Sequence, residues 1–140
     1  MLWLAITGFD ADPERVTELL QIAPTYVAHK GTVSRSGQLH RSNGWWLESS
    51  PAKLTDGGSH DTALNLIIER LRDRAERFEK LREEIKPASV RIYGGLYKSL
   101  DEQSGVWLDS EQMRVLSACG IGWGLDIFVN DGTPEALQKS

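Results

Sequence analysis

An apolar stripe constrains this chain more than any other feature: Leu64, Ile67, Ile68, Leu71, Ala75, Phe78, Leu81 and Ile85 recur at helical steps. That period marks one face of an α-helix, so the spacing predicts a long amphipathic helix from Asp61 to Ile85, stopped by Pro87. Its other face is charged, with Asp73 to Arg77 and Glu76 to Lys80 as acid-first pairs one turn apart. A helix that is apolar on one side must lie against another layer. Strand patterns supply that layer: Leu2, Leu4 and Ile6 alternate with Trp3, Ala5 and Thr7, and Val90, Ile92 and Leu96 alternate with Arg91, Tyr93 and Tyr97. A third alternation, Ile121, Trp123, Leu125, Ile127 and Val129 against Gly122, Gly124, Asp126 and Phe128, predicts a final half-buried strand.

Local signals fill in the rest. Gly8 is expected to end the first strand. Asp12 before Pro13 reads as a helix cap followed by a proline that needs no N–H partner, opening a short helix that points Val16, Leu19 and Leu20 inward. Ile22 to Thr25 breaks it at Pro24, and Tyr26 to His29 fits a second strand. Ser36-Gly37 and Asn43-Gly44 read as turns in a hairpin or mobile loop over residues 31 to 44. Trp45 to Glu48 suits a strand, and Ser50 to Ser59 reads as loop. A link through Lys98 to Gly105 leads to Val106-Trp107-Leu108. Asp109 and Gln112 then form a capping box for a helix that Gly120 ends.

The resulting order, β-α-β-β-α-β-α-β, predicts an α+β fold: a ferredoxin-like β-α-β-β-α-β start with an added α-β unit, in a mainly antiparallel sheet with helices on one face. A single domain over residues 1–130 and a frayed tail over 131–140 are expected.

Composition narrows the class. With 40% hydrophobic and 26% charged residues, the chain has the balance of a globular protein and not of a disordered one. Met1 to Ile6 is too short and lacks the basic leader of an export signal, and no membrane association is expected. One cysteine, Cys119, cannot close an internal disulfide, which fits a reducing cytoplasm. Net charge is −4, yet no acidic residue stands between Glu18 and Glu48, where Lys30, Arg35 and Arg41 lie with His29 and His40. Without those three cations the remainder carries −7, so charge is polarised along the chain.

Catalytic motifs are sparse. Gly94 to Ser99 has the wrong spacing for a phosphate loop, and Ser50-Pro51-Ala52-Lys53 fits a serine-enzyme pattern without its companion motifs. His29, His40 and His60 lack metal-ligand spacing; neither a metal nor a cofactor is expected. Cys119 reads as a small core residue, and Asp10 and Asp12 as turn and cap.

Two features point to binding. The alternations place Trp3, Ala5, Arg91, Tyr93, Tyr97, Gly122, Gly124, Asp126 and Phe128 on the sheet face away from the helix, an apolar floor that the 31–59 segment, a second copy or a ligand should cover. Trp45 or Trp46 would supply the cover from within. The second feature is Lys30, Arg35 and Arg41 beside Tyr26, Trp45 and Trp46, where cations next to aromatics suit an anionic ligand. The acidic body disfavours nucleic acid.

Ile6-Thr7-Gly8-Phe9-Asp10, Asp12-Pro13, Leu20 to Thr25, Lys30-Gly31, Gly44 to Leu47, Leu108 to Glu111 and Leu125 to Phe128 together resemble the bacterial family called domain of unknown function 4279. The resemblance brings no activity; Gln21 stands where that family more often has glycine. The expected function is a non-enzymatic binding or interaction module, at a scale that invites analogy with immunity proteins against bacterial toxins. The alternatives are a small enzyme with a cleft between segment 31–59 and the sheet, using His40, His60 or Asp126, and a weak binder of nucleotide or single-stranded nucleic acid.

Overall fold

A computed structural model describes residues 2–49, 60–99 and 106–130. The 50–59 loop with its Ser50 and Lys53, most of the link to residue 105, and the tail at 131–140 lie outside the described residues. So do the side chains of His60 and Tyr97.

The described elements are β1 (Leu2–Phe9), α1 (Pro13–Leu20), β2 (Tyr26–Ala28), β3 (Asn43–Glu48), α2 (His60–Leu71), α3 (Ala75–Glu84), β4 (Ser89–Ser99), α4 (Ser110–Cys119), β5 (Gly122–Trp123) and β6 (Asp126–Asn130). The strands form one mixed sheet in the order β2-β3-β1-β4-β5, and β6 also pairs with β4. β1 pairs antiparallel with β3 and β4, and β2 with β3; β5 and β6 run parallel to β4. This is an α+β fold with a mainly antiparallel sheet. Its last strands lie beside β4.

One core joins sheet and helices. Leu2, Leu4, Ile6, Trp45, Leu47 and Ile92 meet Val16, Leu20, Leu64, Ile68, Phe78, Leu81 and Leu116 in a single cluster. The odd-numbered residues Trp3 and Ala5 are absent from that cluster, so among the described residues the helices pack on one face, as the alternation requires; on the other face Ala5 is still buried.

The local caps follow the sequence signals. The Asp12 carboxylate accepts from the Glu14 N–H, Asp109 and Gln112 complete the reciprocal box, and Gly120 closes α4 in the left-handed conformation. The guanidinium of Arg82 then donates to the Cys119 carbonyl at that helix end.

Four expectations are corrected. The predicted helix from Asp61 to Ile85 is two helices, because Asp73 turns left-handed (φ 61°) between them. Arg74 stabilises the break: its Nε donates to the Leu20 carbonyl (3.1 Å) and its Nη1 to the Arg70 carbonyl (2.7 Å), serving exposed helix ends of α1 and α2 together. Arg77 likewise turns toward the Leu19 carbonyl at 3.4 Å. Gly8 does not end β1. It forms a bulge at φ 75°, where the register with β3 slips between Thr7 and Phe9, and the slip turns Phe9 into the core.

Asn43-Gly44 is no turn. Both residues are buried at the start of β3, since the Asn43 side chain accepts from the Lys30 N–H (2.6 Å) and donates to the Asp10 and Ala11 carbonyls. The turn of this segment sits further out, at a small hairpin bridged by Val33 and Leu39, with Gly37 at positive φ. Finally, the last strand is interrupted at Gly124-Leu125, and its second part is not half-buried: Ile127, Phe128 and Val129 are all exposed. β6 lies beside β4 at the sheet's rim, and none of its described residues belongs to the core cluster.

Gln21 occupies the left-handed position after α1 (φ 56°), its N–H bonding to the Thr17 carbonyl at 2.7 Å. A side chain is disfavoured there, and glycine is not. Gln21→Gly is therefore expected to stabilise the protein by about 0.5–1 kcal/mol in urea unfolding. An unchanged or lower midpoint would contradict this account of the helix end.

Candidate functional site

The strand register sets the open face out as a grid. One cross-sheet row reads Tyr26, Trp46, Ala5, Arg91 and Gly122; the next contains Glu48, Trp3 and Tyr93. Beyond the first lies a row of small residues, Ala28, Gly44, Thr7 and Ser89. Directly opposed side chains are about 4.5–5.5 Å apart at Cβ, close enough for these groups to act together.

Trp46 leans along this face over Gly44, where an added Cβ would fall 2.3 Å from its ring. It also meets Tyr26 in a tilted pair with centroids 5.3 Å apart. Part of the face is thus roofed by its own aromatic. Trp45 takes no part in it. Neighbours in a strand point to opposite sides, so Trp45 enters the core, fully buried, and its indole N–H donates to the Thr17 hydroxyl at 3.0 Å.

At the other edge the face deepens into a cleft of about 380 Å³ between β4 and the β5–β6 run. Arg91, Tyr93, Gly122, Gly124 and Asp126 line it, and Ser89, Val90, Trp123 and Leu125 complete the wall. Arg91 lies with its guanidinium carbon 5.5 Å from the Tyr93 ring centroid, a cation over a π-face. Among the described residues the ion pairs are Arg15 with Glu18 and Glu84, Lys30 with Asp10, and Arg72 with Glu69 and Glu111. Arg91 and Asp126 are in none of them. The cleft therefore offers one cation and one carboxylate that are not spent on each other.

The sequence-predicted residues divide accordingly. Arg91, Tyr93 and Asp126 come together in the cleft; Trp3 and Trp46 stand on the same face. Tyr97 pairs with Phe128 further along β4. Lys30, Arg35 and Arg41 belong to the β2–β3 connection at the opposite edge, Lys30 being held 3.7 Å from Asp10 and Arg35 and Arg41 exposed. Ser89 and Leu125 were not singled out from sequence. The interruption at Gly124-Leu125 that opens the cleft is seen in the structure and has no signal in the alternation.

A second cavity of about 420 Å³ lies at the junction of β3 and α2, walled by Pro24, Leu47, Glu48, Leu66 and Arg70. Ser49, the last described residue before residue 60, is part of its wall.

Glu84 and then Glu18 hold Arg15 firmly charged, and the Arg15 guanidinium in turn holds the Glu84 carboxyl below its ordinary pKa. A carboxylate so lowered contributes stability above its ordinary pKa of 4.5, and the contribution disappears as pH falls through the depressed value. The pair is exposed, so the effect is small and weakened by salt. Glu84→Gln should flatten the acid side of the stability–pH curve at low ionic strength; an identical curve would remove the pair from the account.

Burial pushes the Cys119 thiol up. The thiol is enclosed in the core, with Sγ 3.8 Å from the Leu71 carbonyl. Cys119 is expected to react with a thiol reagent such as DTNB only as the fold opens, with its rate tracking unfolding as urea is added. Instant labelling of the native protein would refute this. The His40 Nε2 is likewise shielded and has no hydrogen-bond partner among the described residues. Among the described residues no group of histidine, cysteine and carboxylate side chains is arranged to hold a metal. No helix there is long and apolar enough to cross a membrane.

Fold and site together define an α+β fold with one sheet face packed under the helices and, among the described residues, an aromatic opposite face with a cleft at its edge. The chain belongs to the family described as domain of unknown function (DUF4279), whose sequence profile matches residues 1–130. No curated protein and no solved structure matches it.

Proposed function

We propose that this protein is a binding module that works without catalysis, with the open sheet face as its recognition surface and the β4–β5–β6 cleft as its deepest point. The observation that carries this reading is Arg91: a guanidinium with no ion pair among the described residues, laid over Tyr93 in a cleft with aromatic neighbours. Such a group suits an anion carried on an apolar body. The charge that matters is thus on β4. The basic β2–β3 connection, at the far edge, is a separate surface.

Titration of isotope-labelled protein with benzoate, phenyl phosphate and indole-3-acetate, followed by amide NMR shifts, tests the reading. Shifts should gather at Trp3, Trp46, Arg91, Tyr93, Gly122 and Gly124. Shifts confined to the cavity around Pro24 and Arg70, or none at all, would reject it.

A protein partner or second copy is the other reading, favoured by Ile127 and Val129, exposed by 59% and 47% on the β6 edge. Concentration-dependent light scattering tests it. A strict monomer rules out the second copy.

A further inference from the structure

We infer that the cleft is a site for a short linear zwitterion, a peptide of about two or three residues with both ends free, its carboxylate on Arg91 and its ammonium on Asp126. This rests on the open face being a binding surface and adds the class of ligand. The placement of the two charges carries it. Arg91 pairs with Gly122, and Asp126 pairs with Gly95 four positions further along β4, so the two sit on one face at opposite ends of one strand track. At about 3.3 Å per residue their backbones are roughly 13 Å apart, a gap that the arginine side chain shortens from one end.

On the β5–β6 side the described residues leave the track open, while Tyr93 stands on β4 between the two charges. Gly122 and Gly124 carry no side chain, and space is open where a Cβ on Gly124 would stand. Trp123 and Leu125 give the wall apolar atoms. A single amino acid bears both charges on one carbon and cannot reach both groups. An extended peptide spans about 3.3–3.6 Å per residue, which fits two or three residues between the charged side chains. A simple anion would use Arg91 and leave Asp126 idle or opposed to it.

The test uses the full chain and four probes: tri-alanine with free ends, its N-acetyl form, its C-terminal amide, and alanine. Dissociation constants come from amide shifts of Arg91, Gly122, Gly124 and Asp126. Free tri-alanine should bind tightest, each blocked form at least about tenfold weaker, as for loss of one charge-assisted contact, and alanine weaker still. The variants should cross with the probes: Arg91→Gln should no longer distinguish the amide from the free acid, and Asp126→Asn should no longer distinguish the acetylated form. Both residues are exposed, so both variants should fold, with thermal midpoints near the parent's.

Equal affinities for free and blocked peptides, or variants that keep full discrimination, overturn the inference. If the peptides give no shifts while phenyl phosphate still moves the open-face amides, the zwitterion fails and the binding surface stands. If no probe moves that face, both fail.

Discussion

Replacing Trp45 with alanine is expected to cost about 3–5 kcal/mol, whereas Trp46→Ala should cost far less. The two tryptophans are adjacent, yet one is fully buried with its indole N–H on Thr17 and the other lies on the open face against Gly44 and Tyr26. Removing Trp45 empties a large volume within the core cluster and leaves the Thr17 hydroxyl without its donor. A domain of this size has about 5–15 kcal/mol in total, so Trp45→Ala consumes much of it. Trp46→Ala removes a half-exposed ring and one aromatic contact, about 1–2 kcal/mol. Urea unfolding of both variants decides. Equal losses would mean that the face assignment of β3 is wrong.

Gly8→Ala is the second large effect, about 2–4 kcal/mol, although it adds a single methyl group. Two costs combine. The backbone at φ 75° disfavours any side chain, and the new Cβ would lie 2.5 Å from the Ala88 Cβ and 3.3 Å from its backbone N. Neither neighbour is a flexible tip that can swing aside. Relief requires undoing the bulge, which would turn Phe9 out of the core and disturb the 3.1 Å bond from the Ala88 N–H to the Gly8 carbonyl. Gly8→Ala together with Ala88→Gly should recover part of the loss by removing the close contact and leaving only the backbone cost. No recovery in the double variant would show that the contact is not the cause.

The parts legible in the sequence were those that local chemistry decides. Strand parity placed Trp3, Arg91 and Tyr93 opposite Leu4 and Ile92, because a pleated strand admits no other arrangement once one face is buried. The cap at Asp12, a single bond from the Glu14 N–H, and the reciprocal box of Asp109 with Gln112 are made within a few residues, so their spacing suffices. The same parity places Trp45 with Leu47 in the core and separates it from Trp46, a reading that the attraction of pairing two aromatics with a basic loop obscured.

What was not legible depends on distant partners. The break after Leu71 contains neither glycine nor proline; it is held by Arg74 reaching the end of α1, a contact 54 residues away in sequence. Asn43-Gly44 has the composition of a turn, but the Trp46 ring needs the space above Gly44, and the carbonyls of Asp10 and Ala11 need the Asn43 amide. The cleft itself exists because the β5–β6 run opens at Gly124-Leu125, which alternation alone reads as continuous.

The forked clasp of Arg74 means that three rods meet at one planar cation with no apolar substitute for it. Lysine at this position keeps the charge but presents a single point where two carbonyls must be met at fixed angles. The elbow of the helical layer is accordingly a joint with one correct key: swapping like for like by charge would loosen three elements at once, while the sheet beneath kept its register.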